Sequence, residues 1–236
     1  KRFSGGIMKK ALFASLIFLA AGISFAGDAA AFNDIGFSAD GKIYIFSQYG
    51  KTDKKFQPYA EIYTIDVEKN EYVPGGVYKN LEAKSDRNGK TVYEELCASH
   101  YYDIKKYDCR QAQADDVLYV LEDAKKSGTE EIVFKNLGEE NLFQYNIRLM
   151  PTFDGRGKEC RSSFYIDLVV SSEGGPDSVK KYVVGSPDIR RKGVTGYKII
   201  RIFRDAKKTS LIFVVEKTVE DSSGTSIRYM VETVKL

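Results

Sequence analysis

Tryptophan is absent from this sequence, histidine occurs once, at His100, and cysteine three times. A lone histidine excludes a two-histidine zinc site, and any Ser-His-Asp triad or histidine acid/base pair would have to use His100. The sequence also lacks a G-x-S-x-G elbow, a G-x-x-x-x-G-K-[ST] loop and a G-x-G-x-x-G fingerprint, so the common hydrolase, nucleotide and dinucleotide signatures are missing. His100 falls on an apolar stripe with Leu96 and Ile104 and reads as a packed, hydrogen-bonded histidine. No apolar run is long enough to span a membrane: the longest, 11–26, has 16 residues against the roughly 20 that a spanning helix needs.

That run has another reading. Lys9 and Lys10 precede it, and it ends at Ser24-Phe25-Ala26, with small residues at −3 and −1 of a cut after Ala26. This is the layout of a secretory leader. Residues 1–26 are therefore expected to be a signal peptide that starts at Met8, with cleavage near Ala26 and a periplasmic or secreted product. The segment carries Lys1, Arg2, Lys9 and Lys10 and no acid, so its removal turns a net charge of +3 into −1. Bulk charge then gives no reason to expect nucleic acid as a partner.

The remaining 27–236 suit one domain. Sixteen tyrosines and fourteen phenylalanines favour half-buried strands. "KIYIFSQYG" and "YAEIYTIDV" alternate around an Asp40-Gly41 turn, and "FYIDLVV" puts Phe164, Ile166, Leu168 and Val170 on one side. "SLIFVV" is apolar on both faces and should be a central strand. Between these β regions, 86–127 reads as a helical insertion. Val92, Leu96, His100, Ile104 and Tyr107 recur at helical spacing, and a second helix is expected over 116–126 on Val117, Leu121 and Ala124. The expected fold is mainly β, an antiparallel sandwich or partial-propeller-like set of sheets of about ten or eleven strands, counted by alternation.

"GFSADGKIYIFSQYG" with "PYAEIYTIDVEKNEYVPGGVY", and the end "SPDIRRKGVTGYKIIRIF" through "IRYMVETVKL", resemble a family of predicted secreted bacterial proteins, a domain of unknown function. The resemblance implies export and transfers no chemistry. The first hairpin also resembles a TolB-type propeller blade, with Ala39 where that blade has proline. An echo of the hairpin near the C-terminus, from Phe203 to Val234, suggests two hairpins that pack together to close the domain.

Cys97, Cys109 and Cys160 allow one disulfide in an oxidising compartment. Cys109–Cys160 would staple the insertion to the β region. Cys97–Cys109 would need the helix to break first, since 12 residues of helix span about 18 Å and a disulfide about 7 Å. Reduced, buried cysteines are the other reading. Cys97 and His100 have half-site spacing for zinc, but C-x₂-C pairs are missing, so no metal and no cofactor is expected.

One stretch departs from the background. Between Pro187 and Lys208 lie Arg190, Arg191, Lys192, Lys198, Arg201, Arg204, Lys207 and Lys208 against Asp188 and Asp205, with Tyr197 and Phe203 interleaved. Arg190, Arg191, Lys192, Tyr197, Arg201 and Arg204 are the candidate binding residues for an envelope protein or an anionic polymer. The alternatives are a solvated strand edge, a purely structural periplasmic domain, and a hydrolase built on two carboxylates converging at roughly 5–10 Å.

Overall fold

The structure, a computed structural model, describes residues 28–52, 55–81, 83–84, 86–122, 131–137, 142–172, 179–222 and 224–236. The leader lies outside the described residues. Those described form three β-sheets and two helices, so the mainly antiparallel β architecture expected from the sequence is present. One sheet is a meander of β2 (Ala31–Phe37), β3 (Ile43–Lys51), β4 (Pro58–Asp66) and β5 (Glu71–Asn80). A second is a meander of β7 (Ile132–Leu137), β8 (Leu142–Asp154), β9 (Arg161–Ser172) and β10 (Val179–Lys192). The third runs in the order β1 (Asp28–Ala29), β13 (Gly224–Lys235), β12 (Ser210–Asp221), β11 (Val194–Arg204), β6 (Val117–Val120). Three sheets are fewer than the roughly four blades of a closed propeller.

The third sheet is the middle layer, and β12 shows why. Leu211, Phe213 and Val215 pack against Ile147, Phe164, Ile166 and Leu168 of the β7–β10 sheet. Ile212 and Val214 point the other way, onto Tyr44, Phe46, Tyr63 and Ile65 of the β2–β5 sheet. Period-2 alternation with apolar residues at both parities is what a strand buried on two faces requires. The two similar hairpins, β3–β4 and β12–β13, thus pack face to face. The β2–β3 connection is the expected Asp-Gly turn: Asp40 Oδ1 accepts from Ser38 Oγ (2.7 Å) and Lys42 N (3.1 Å), and Gly41 takes φ +75°.

On the far side of the β2–β5 sheet lies α1 (Gly89–Ser99), followed by α2 (Tyr101–Lys105). Asn88 caps α1 by accepting from Thr91 N at 2.8 Å, and Val92 and Leu96 bury against Ile45, Ala60 and Ile62. Gly89 lets the helix start directly on β3, since a Cβ there would lie 2.5 Å from Gly50 O. The helix ends at His100, whose ring stacks on Tyr78 at 3.9 Å.

The second expected helix is corrected. Residues 114–116 make one 3₁₀ turn, and Val117–Val120 form β6, antiparallel to β11 with Tyr119 opposite Ile202. "VLYV" is β-branched and aromatic, and pairing with the edge of the middle sheet outweighs its weak helical stripe. Residues 123–126 of that expectation lie outside the described residues, and helix within the insertion is confined among described residues to 89–105.

Candidate functional site

The basic residues after Pro187 are dispersed by strand alternation and by the β10–β11 corner. Arg190 is exposed, 3.8 Å from Asp154, and Lys192 is 3.0 Å from Glu159. Arg201 is exposed and lies over the Phe32 ring at 5.9 Å. Tyr197 turns inward: its ring packs on Phe164, and its hydroxyl is 2.8 Å from Ser162 Oγ. Arg204 is buried, donating to Asn136 Oδ1 at 2.8 Å, with Asp116 at 3.8 Å. Arg191, half-buried, reaches a cleft that holds further charged groups. Its guanidinium lies over Phe164 at 5.0 Å and 3.6 Å from Glu232.

That cleft, of about 530 Å³, opens where β13 of the middle sheet lies between the β4–β5 turn and β10. Ile65, Met230 and Val231 give it an apolar floor, Asn70, Tyr72, Arg191, Lys217 and Glu232 are the polar groups set deepest by burial or hydrogen bonding, and Lys69, Glu71 and Ser186 complete its polar lining. The β4–β5 turn is stitched to β13: Asn70, at φ +55°, donates to Glu232 Oε2 at 2.5 Å and accepts from Thr233 N at 2.7 Å. Thr233 Oγ1 donates to Val67 O at 2.7 Å. From the other side β10 closes on Glu232 through Gly185, where a Cβ would lie 3.3 Å from the carboxyl carbon and φ is +82°. The register of β10 then slips between Ser186 and Arg191, which turns Arg191 back toward the cleft.

The charges are out of balance. Burial raises the Glu232 carboxyl above its ordinary range, against the opposing pull of Asn70, Arg191 and Lys217. Burial, with Arg191 adding repulsion that the pull of Glu61 only partly offsets, brings Lys217 down to about 8. Among the described residues no carboxylate lies within ion-pair distance of Lys217. Burial and the neighbouring Glu232 push the Tyr72 phenol up to about 12, so it stays protonated and able to donate at neutral pH. A cavity that collects perturbed groups of both signs is the usual mark of a functional site. Chemically, this one can receive a negative group beside an apolar surface.

Two other recesses are weaker. A cavity of about 540 Å³ beside the β2–β3 turn includes Arg204 and Asp205. Both are committed to the fold: Asp205 accepts from Thr209 N (2.8 Å) and Ser210 N (2.6 Å). A recess with Asp40, Asp66 and Glu68 gathers carboxylates. Hydrogen bonds from Ser38 and Lys42 hold Asp40 below its ordinary range, the reverse of what a general acid needs. Asp66 and Glu68 pair with Lys69 and Lys235 at 3.4 Å.

All three cysteines are free thiols. Cys97 and Cys109 pack against the cluster under the helices, whereas Cys160 is buried at the start of β9, so the Cys109–Cys160 staple does not form here. Burial raises the thiols of Cys97 and of Cys109, the latter to about 12. No metal-binding cluster of His, Cys, Asp and Glu is found among the described residues.

Lys217, Glu232 and Asn70 escaped the sequence reading. A signal existed for two of them. Lys217 continues the inward series Leu211, Phe213, Val215, and Glu232 follows Met230 at the same parity, so each is a charge on an apolar face.

Among the described residues no helix is long and apolar enough to cross a membrane. No curated protein and no solved structure matches the chain. A family match does extend over 45–235, from β3 through β13, and so takes in every element that shapes the cleft. On that match the chain belongs to the family described as "Predicted secreted protein (DUF2259)".

Proposed function

We propose that this is an exported, non-enzymatic binding module that acts in the periplasm or outside the cell after leader removal near Ala26. Its cleft beside β13 receives an anionic group of a partner protein or of an anionic envelope polymer. The observation that carries this reading is the unbalanced cation. Lys217 is desolvated next to Arg191, and the one carboxylate buried in the cleft, Glu232, is already shared with Asn70 and Arg191. An incoming anion removes that imbalance, and the apolar floor weakens the competition of water for it. Of the predicted basic residues, Arg191 belongs to this site, while Arg190 and Lys192 are not among its lining and have carboxylates of their own.

The test is titration of the exported protein with short-chain polyphosphate and with hexaglutamate at low and high salt. Lys217→Gln and Arg191→Gln should each weaken binding about tenfold, the effect of one lost charge-assisted contact, with thermal melts confirming folded protein. Lys192→Ala should leave binding unchanged. Equal affinity of the wild type and of a folded Lys217→Gln variant for both probes would remove the cleft from the account.

A further inference from the structure

The mouth of the cleft is apolar where its interior is charged. Tyr72, near the start of β5, is 48% exposed, and Ile189, within the slipped segment of β10, is 55% exposed. Both line the cleft, one from each side of β13. Ile189 is tied to the charge behind it, because Arg191 Nη1 donates to Ile189 O at 3.2 Å. An apolar wall and a guanidinium therefore lie side by side. The charge inside can be counted. Arg191, Lys79 and Arg228 act on Lys217 with the same sign and Glu61 with the opposite one. Glu61 is already engaged, 3.0 Å from Lys79 and accepting from Gln48 Nε2 at 2.6 Å, and Arg228 pairs with Asp28. Lys69 and Glu71, of opposite sign, are exposed at the rim, where water screens them. Lys217 and Arg191 against Glu232 leave one cation in excess. That matches a single carboxylate better than a phosphate, which carries nearly twice the charge.

We propose that the anionic group is the C-terminal carboxylate of a partner polypeptide whose last residue is apolar, the carboxylate meeting Lys217 and Arg191 and the last side chain lying between Tyr72 and Ile189. This rests on the anion-binding reading above and adds which anion the cleft takes. At a C-terminus the carboxylate and the last side chain leave the same Cα, so one residue satisfies both the cations and the apolar walls. In an internal Asp or Glu the nearest apolar side chain belongs to a neighbour, which in an extended chain points to the opposite side. Capture of a chain end is a recurring mode of peptide recognition. A volume of about 530 Å³ is that of a small-ligand pocket and admits a chain end rather than a folded surface. A fatty acid brings the same two groups. Asn70, Ser186 and the protonated Tyr72 hydroxyl also line the cleft, however, and they suit the amides of a peptide.

The experiment is calorimetric titration of the exported protein with acetyl-Gly-Gly-Leu, its C-terminal amide, acetyl-Gly-Gly-Gly, octanoate, and acetylated hexaglutamate with an amidated end. The leucine acid should bind about tenfold or more tighter than its amide, the effect of one charge-assisted contact. It should exceed the glycine peptide about fivefold or more, the effect of partly burying one leucine side chain. Ile189→Ser, at an exposed position, should reduce that preference for leucine, and Lys217→Gln should reduce the preference for acid over amide, with thermal melts confirming folded protein. If the amide, the glycine peptide or octanoate binds as tightly as the leucine acid, the chain-end proposal falls. If the amidated hexaglutamate binds and the tripeptides do not, the proposal falls and the anion reading stands. If no probe binds at about 1 mM, the weak end of specific recognition, both fall.

Discussion

Lys217 occupies an inward position on β12, one step beyond Val215 in an apolar series. Its ammonium loses hydration there and gains Arg191 as a like-charged neighbour. The folded state therefore favours the neutral amine, with a pKa near 8 against the ordinary 10.5. The sign of the linkage follows. Below pH 8 both folded and unfolded chains carry the charge and the folded one bears the full penalty. Between 8 and 10.5 the unfolded chain binds more protons, so stability rises with pH, and above 10.5 the penalty is gone. Lys217→Met should stabilise the protein by about 1–2 kcal/mol at pH 7, after discounting the shift for residual hydration, and by almost nothing at pH 10.5. Urea melts at the two pH values measure both. A site that costs stability and is relieved by a ligand is what a stability–function trade-off produces.

At the scale of elements, local chemistry and tertiary pairing compete. Helix α1 was legible from Val92 and Leu96 at helical spacing; the structure adds Asn88 as its cap and Gly89 at the point of contact with β3. Asn88→Ala removes the acceptor for Thr91 N and should cost about 1 kcal/mol, read as a shift in the urea midpoint with unchanged slope. Strand β6 was not legible. Its four residues carry a β-like composition, but their conformation is decided by pairing with Arg201, Ile202 and Phe203, more than 80 positions later in the chain. The basic stretch is dispersed for a related reason. Alternation along β11 sends Tyr197 inward, and the buried Arg204 is held by the half-buried partners Asn136 and Asp116. Linear charge density reports on a surface only when neighbouring residues share a face, and in a strand they do not.

In the whole molecule, the middle sheet explains both what could be read and what could not. "SLIFVV" announced a strand covered on two faces, and the likeness between the two end hairpins anticipated their packing, with Phe46 and Tyr63 against Ile212 and Val214. The cleft is a property of the assembly. It needs the β4–β5 turn, the slipped register of β10 and the edge of β13 to meet, and no local pattern encodes that meeting. Within it the Asn70–Glu232 hydrogen bond joins residues 162 positions apart. The first and last described strands are joined as well, since Asp28 pairs with Arg228 and accepts from Tyr59 Oη at 3.1 Å. The central claim is that this junction holds a desolvated cation awaiting an anion. It is tested most directly by titrating the ¹³Cε resonance of Lys217, assigned through Lys217→Arg, with and without hexaglutamate. The expected midpoint is near 8 in the free protein, moving up by about one unit or more when the anion binds, the signature of a new negative partner. A midpoint at 10.5 that hexaglutamate leaves unmoved would contradict it.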